Sequence, residues 1–256
     1  MQMNQGQQKD IERCLLDMGE LLLDCGAEVS RAEDTVRRMG MAFGAKKVEI
    51  FIITSIISLS LRFSEEEEIT ATRRIYSSSG TDFYRLEKLN ELSRNFCAQK
   101  ISLEELRERL DHIAQGKKPR RVILLGSVLV AGSFAVFFGG NWIDGIVSAL
   151  VALGICQMQA RLESTRVTPA GENLLISLLM GLCVGLLSRL IPQLHMDKIL
   201  IGDIMLLIPG LAMTNSIRNI LVGNTISGLI RLTESLIWAV ALAGGVMTAI
   251  LIVNLF

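Results

Sequence analysis

The sequence predicts an α+β cytoplasmic N-terminal domain followed by an all-α polytopic membrane bundle of five transmembrane helices, and three observations carry that prediction. Charge is partitioned along the chain: residues 1–121 hold 20 of the 26 Lys+Arg and 20 of the 26 Asp+Glu. The remaining residues contain apolar stretches near 122–139, 142–158, 174–191, 199–221 and 236–256. Each approaches the roughly 20 residues that cross a bilayer as helix. The charged module, by contrast, mixes helical periodicity with the strict alternation of Ile57–Phe63, so it holds both helices and strands. The expected domains are therefore 1–121 and 122–256.

In chain order, residues 1–9 are polar and expected to be disordered. Ile11, Cys14, Leu15, Met18, Leu22 and Cys25 then recur at helical spacing. Gly26 is placed to end that helix in the left-handed region. Ser30-Arg-Ala-Glu33 reads as a capping box that starts a second helix, with Ala32, Val36, Met39 and Phe43 inward and Gly44 at its end. Glu28 falls in the turn between the two, where solvent exposure is expected. Val48–Phe63 and Ile69–Tyr76 follow as strands, separated by an acidic turn at Glu65–Glu68. Ser77–Gly80 is a loop, Asp82 caps a helix bearing Phe83, Leu86, Leu89 and Phe96, and Ser102-Leu-Glu-Glu105 opens another, closed by Gly116 and Pro119.

In the apolar half, Lys and Arg in the loops set the orientation. Lys117, Lys118, Arg120, Arg121, Arg161, Arg166, Arg218 and Arg231 fall on one side, against Arg189 and Lys198 on the other. That bias predicts a cytoplasmic N-terminus and a periplasmic C-terminus; no signal sequence is read in the first 30 residues. Small residues repeat at four: Gly181 with Gly185, Ala241 with Gly245 and Ala249, Ser148 with Ala152 and Cys156. Such stripes let helix backbones approach, within the chain or between subunits.

The fourth stretch is unlike the others. Ile204-Met-Leu-Leu-Ile-Pro-Gly-Leu-Ala-Met-Thr-Asn-Ser-Ile-Arg218 is broken by Pro209-Gly210 and then turns polar. Proline removes a backbone donor, so carbonyls near positions 205 and 206 are expected to lose their helical partners. Freed backbone at membrane depth is tolerated only where protein or trapped water satisfies it, and interrupted helices are how many transporters build a substrate site. Asp203, Pro209, Gly210, Thr214, Asn215 and Arg218 are the leading candidates for substrate binding, with Asn173, Ser177 and Asp144 behind them. Asp203 and Asp144 also admit a plainer reading as interfacial carboxylates, and Arg218 as an inside-positive anchor.

Several function classes find no support. Net charge is zero overall and in each half, so nothing points to nucleic acid. The five cysteines form no Cys-x-x-Cys pair and the two histidines stand apart, so neither a metal site nor a catalytic triad is read. No phosphate-binding loop, nucleophile elbow or dinucleotide fingerprint occurs, and neither cofactor nor enzymatic activity is expected. Hydrolysis by the soluble module would rest on Glu28, Glu33 and Arg73 alone.

Leu21-Leu-Leu-Asp-Cys-Gly-Ala-Glu28 with Ser30-Arg-Ala-Glu33, Thr70-Ala-Thr-Arg73, and Leu207-Ile-Pro-Gly-Leu-Ala-Met-Thr-Asn215 together resemble the threonine/serine exporter family, over nearly the whole chain. More narrowly the chain is similar to the N-terminal-half subunit of split members, including an inner-membrane type linked to succinate export. The resemblance implies export of small polar metabolites, with a second small membrane subunit supplying the other half and a higher oligomer in the bacterial inner membrane. It marks Gly26, Glu28, Ser30, Glu33 and Arg73 as the cytoplasmic-domain motif. The competing reading is a non-transporting sensor or scaffold whose helices only anchor it, but an anchor does not need Pro209-Gly210 and a polar cluster inside a span.

Overall fold

The computed structural model describes residues 5–53, 55–64, 68–75, 81–116, 120–162, 165 and 167–255, with Gln5 described by its backbone only. The elements are α1 (Gln5–Asp24), α2 (Val29–Ala42), β1 (Lys47–Ile53), β2 (Ile56–Arg62), β3 (Glu68–Arg74), α3 (Phe83–Cys97) and α4 (Leu103–Ala114). They are followed by α5 (Arg120–Phe137), α6 (Trp142–Leu162), α7 (Pro169–Leu190), α8 (Met196–Ile204), α9 (Gly210–Leu221) and α10 (Thr225–Leu255). The chain divides into two compact units, Met1–Lys117 with Thr214–Arg231, and Lys118–Met213 with Leu232–Phe256.

In the first unit β1, β2 and β3 form an antiparallel sheet in sequence order, with Leu59 opposite both Ile50 and Ala71. Ile57, Leu59 and Leu61 alternate inward, as the period-two pattern requires. They meet Leu15, Met18 and Leu22 of α1 and Val36 and Met39 of α2 in one core, all fully buried. Burying one such side chain is worth roughly 1.5–3 kcal/mol. Gly26 adopts φ +85° and ends α1 as expected, since only glycine enters that region without strain. Asp82 accepts the Arg85 amide at 3.0 Å and Ser102 the Glu105 amide at 3.2 Å, so both later caps form.

Two expectations fail here. Helix α1 already runs from Gln5, and Gln8 is buried, so residues 5–9 are ordered in the helix. Ser30 and Glu33 do not make a capping box. Helix α2 begins at Val29, with Glu28 at the N-cap and no side-chain cap. Glu33 Oε1 accepts the Ile52 amide at 2.9 Å instead. Strand β1 is an edge strand, and its outward amide must find an acceptor. Glu33 satisfies it and ties α2 to the sheet. The acidic turn at 65–67, the loop at 77–80, Lys117, Lys118, Pro119 and Arg166 lie outside the described residues.

In the second unit α5 packs on α6 and α8, and α6, α7 and α8 pack on one another. The small-residue stripe of α7 meets that of α10: a Cβ on Gly181 would come within 2.6 Å of Ala249 Cβ, and one on Gly185 within 2.6 Å of Val253 Cγ2. The stripes therefore serve packing within the chain. Among the described residues four helices, α5, α6, α7 and α10, are long and apolar enough to cross a membrane. The expected fourth span, 199–221, is instead covered by the short helices α8 and α9 of 9 and 12 residues. The helix that carries the last expected span, α10, starts at Thr225 and continues through Arg231 and Glu234.

Candidate functional site

The break between α8 and α9 has a local cause. Leu206 and Leu207 donate to Asp203 and Ile204 carbonyls in a tightened last turn, at 3.1 and 2.9 Å. Pro209 then has no amide hydrogen, and the Gly210 amide turns to the Ile208 carbonyl at 2.8 Å rather than to Leu206. Helix restarts with Met213 donating to the Pro209 carbonyl at 3.0 Å. Space around Gly210 is open, with no heavy atom within 4 Å of a Cβ built there. Proline makes the break; glycine is not needed for close approach.

Just before the break, Asp203 is fully buried. Ser148 Oγ of α6 donates to its Oδ1 at 2.7 Å. Its Oδ2 is buried and makes no hydrogen bond among the described residues. Gly202 makes this fit: a Cβ there would lie 2.6 Å from the Ala131 carbonyl oxygen and 2.8 Å from Ser148 Oγ. The close approach of α5, α6 and α8 is thus built around a carboxylate with one oxygen spare.

Asp144, also fully buried, is the opposite case. Its Oδ2 accepts the Asn141 amide at 2.8 Å and faces His195 Nδ1 at 2.9 Å, while Oδ1 accepts the His195 amide at 2.9 Å. Asn141 Oδ1 in turn accepts the Asp144 amide at 2.9 Å. Asn141-Trp-Ile-Asp144 is a reciprocal cap at the start of α6 that also fastens the start of α8. Both carboxylate oxygens are bonded, which marks Asp144 as a structural clamp. Both aspartates are thus buried within the protein. Ser177 is buried and donates to the Leu174 carbonyl at 3.1 Å, and Asn173 on the same helix is half-buried.

The other candidates belong to the first unit. Thr214 and Arg218 are exposed on one face of α9, Asn215 is half-buried, and Ser216 and Asn219 are buried. Arg218 Nη1 reaches Glu28 Oε1 at 2.5 Å, and Arg31 Nε approaches Glu28 Oε2 at 3.7 Å. The Glu28 side chain is only 16% exposed, contrary to the solvated turn residue expected. Gly26 shapes that turn, while Ser30 lies within the first turn of α2 and Glu33 bonds β1. Arg73 on β3 pairs with Asp17 and Glu20 of α1. The motif residues thus lock α1, α2, α9 and the sheet together, and no group of three or more His, Cys, Asp or Glu fit for a metal occurs among the described residues.

The family model ThrE, described as "Putative threonine/serine exporter", matches residues 13–253. The chain belongs to the threonine/serine exporter family. Two relatives are 22% identical: "Probable threonine/serine exporter" of Mycobacterium tuberculosis, over 92% of this chain and 44% of the relative, and "Threonine/serine exporter" of Corynebacterium glutamicum, over 90% and 48%. The chain spans about half the length of these two. A third, "Probable succinate transporter subunit YjjP" of Escherichia coli, is 22% identical over 96% of both chains. No solved structure matches. Four long apolar helices in a threonine/serine exporter family member make this a multi-pass membrane protein.

Ser148 and Asn219 are the polar residues that sequence reasoning missed. Ser148 stood out only as a small residue at helical spacing, and its pairing with Asp203 across helices has no periodic signature. Asn141-Trp-Ile-Asp144, in contrast, has the spacing of a cap and was readable.

Proposed function

We propose that the chain is one subunit of a secondary exporter that moves small polar metabolites, threonine and serine or a dicarboxylate such as succinate, out of the cytoplasm. It works with a second small membrane subunit in a higher oligomer of the bacterial inner membrane, its N-terminus cytoplasmic and its C-terminus periplasmic. The observation that carries the proposal is the break between α8 and α9 just after Asp203, whose buried Oδ2 makes no hydrogen bond among the described residues. A buried acceptor without a donor costs about 1–3 kcal/mol. A helix serving only as an anchor gains nothing in return.

Substrate contacts are assigned to Asp203, Pro209, Gly210, Thr214, Asn215, Arg218, Asn173 and Ser177. The exposed backbone and the side chains of Thr214 and Asn215 offer neutral donors and acceptors, and Arg218 offers a guanidinium suited to a carboxylate. Such a set accepts either an amino-acid zwitterion or a dicarboxylate. The names of the relatives support both classes.

Reconstitution decides. Proteoliposomes loaded with labelled threonine, serine or succinate should release at least one of them when both subunits are present, and none with this chain alone. Absence of efflux under both conditions would return the chain to the role of a membrane-anchored sensor or scaffold.

A further inference from the structure

We propose that the first unit carries a second ligand site, separate from the transport pathway: a groove between α2 and α3 that takes a small anion bearing two negative charges, a short dicarboxylate or a phosphate. The cavity there is about 440 Å³, within the range of small-molecule sites. Arg31, Thr35 and Arg38 line it from α2, and Asn90, Arg94 and Cys97 from α3. On each helix these positions recur at three or four residues, so each helix turns one polar stripe toward the other.

A stripe meant only for packing would be apolar. Here Thr35 and Ser93 are 7% exposed, so the groove is floored by hydroxyl-bearing side chains. Its charge is also lopsided. Three guanidinium groups face one lining carboxylate, Asp34, which pairs with Arg38 at 2.6 Å. Arg31 has Glu28 at 3.7 Å, but Glu28 is held more closely by Arg218. Arg94 makes no ion pair among the described residues. The lining side chains therefore carry an excess of two positive charges around a concave surface, where the field is focused and like charges repel until a counter-ion enters. An excess of two fits a dianion. Guanidinium forks and the neutral donors of Thr35 and Asn90 provide the directional contacts such a ligand needs.

Full-length protein in detergent should be titrated calorimetrically with succinate and with inorganic phosphate at constant ionic strength, with acetate and threonine as controls. Saturable binding of at least one dianion is expected, with acetate much weaker and with no protection of Cys97 by threonine. Arg38→Gln and Arg94→Gln change exposed side chains and should each weaken that binding about tenfold, the value of one charged hydrogen bond at an open site. Cys97 provides the location: the bound dianion should slow its reaction with a water-soluble maleimide, and Arg94→Gln should remove the protection. Asn215→Ala should leave the protection of Cys97 unchanged, which separates this groove from the transport site. No saturable heat, or binding indifferent to both arginine substitutions, would overturn the proposal.

Discussion

Arg218 Nη1 lies 2.5 Å from Glu28 Oε1, joining the turn after α1 to the helix that follows the break. Glu28 is mostly shielded while Arg218 is half exposed, so the pair sits between a surface ion pair and a buried one. Glu28→Gln should lower the stability of the first unit by about 1 kcal/mol, and Arg218→Gln by a similar amount. The double substitution should cost less than the sum if the two groups act on each other. Urea unfolding of the four proteins measures this, and strict additivity would show that the pair contributes nothing.

Ser148→Ala removes the hydroxyl that Asp203 Oδ1 accepts from. With Oδ2 already without a partner, the carboxylate loses its last hydrogen bond among the described residues. Destabilisation of about 1–3 kcal/mol is expected. Ser148→Thr, which keeps the hydroxyl, should retain more stability unless its added methyl overpacks against Gly202. Thermal unfolding in detergent compares them, and a wild-type melting temperature for Ser148→Ala would remove this bond from the fold.

Two glycines with different surroundings should respond oppositely. Gly181→Val places atoms where Ala249 already stands and should cost about 1–3 kcal/mol or more through overpacking. Gly210→Ala meets open space at the first position of α9 and should be neutral or stabilising by roughly 0.4–1 kcal/mol. Thermal denaturation in a single detergent would test both, and the reverse order would refute the α7–α10 contact.

Burial, aided by the nearby Asp17 carboxylate, pushes the Cys14 thiol up to about 12 from an ordinary 9.0. Below pH about 9 the folded and unfolded chains both keep this proton. Above it only the unfolded chain releases it, so this group's contribution to stability is lost as pH rises from 9.0 toward about 12. Cys14 should resist maleimide at pH 8 until the protein is unfolded, as followed by mass spectrometry of its peptide. Rapid labelling of the native protein would show that α1 is not packed as described.

What could be read from the sequence was local chemistry. Gly26 and Gly44 announced left-handed turns, Asp82 and Ser102 announced caps, and Pro209 announced a helix break, because each acts on backbone within a few residues. The pairings Glu28–Arg218 and Ser148–Asp203 were not legible, since they join segments far apart in sequence and leave no periodic trace. The same limit explains Ser30 and Glu33. Their spacing fits a capping box, but the open edge of β1 offered Glu33 a donor that no local pattern could show.

The most direct test of transport at the broken helix is the initial efflux rate of Asn215→Ala, measured over a range of substrate concentrations in vesicles containing both subunits and normalised to folded protein. Asn215 is half-buried on α9, so its truncation should leave abundance and partner association intact. The lost contact corresponds to about 0.5–1.5 kcal/mol, or roughly 1–3 where a buried partner is stranded, hence an affinity loss from about twofold to somewhat over a hundredfold. A stable variant with efflux unchanged at every concentration would place Asn215 outside the substrate path.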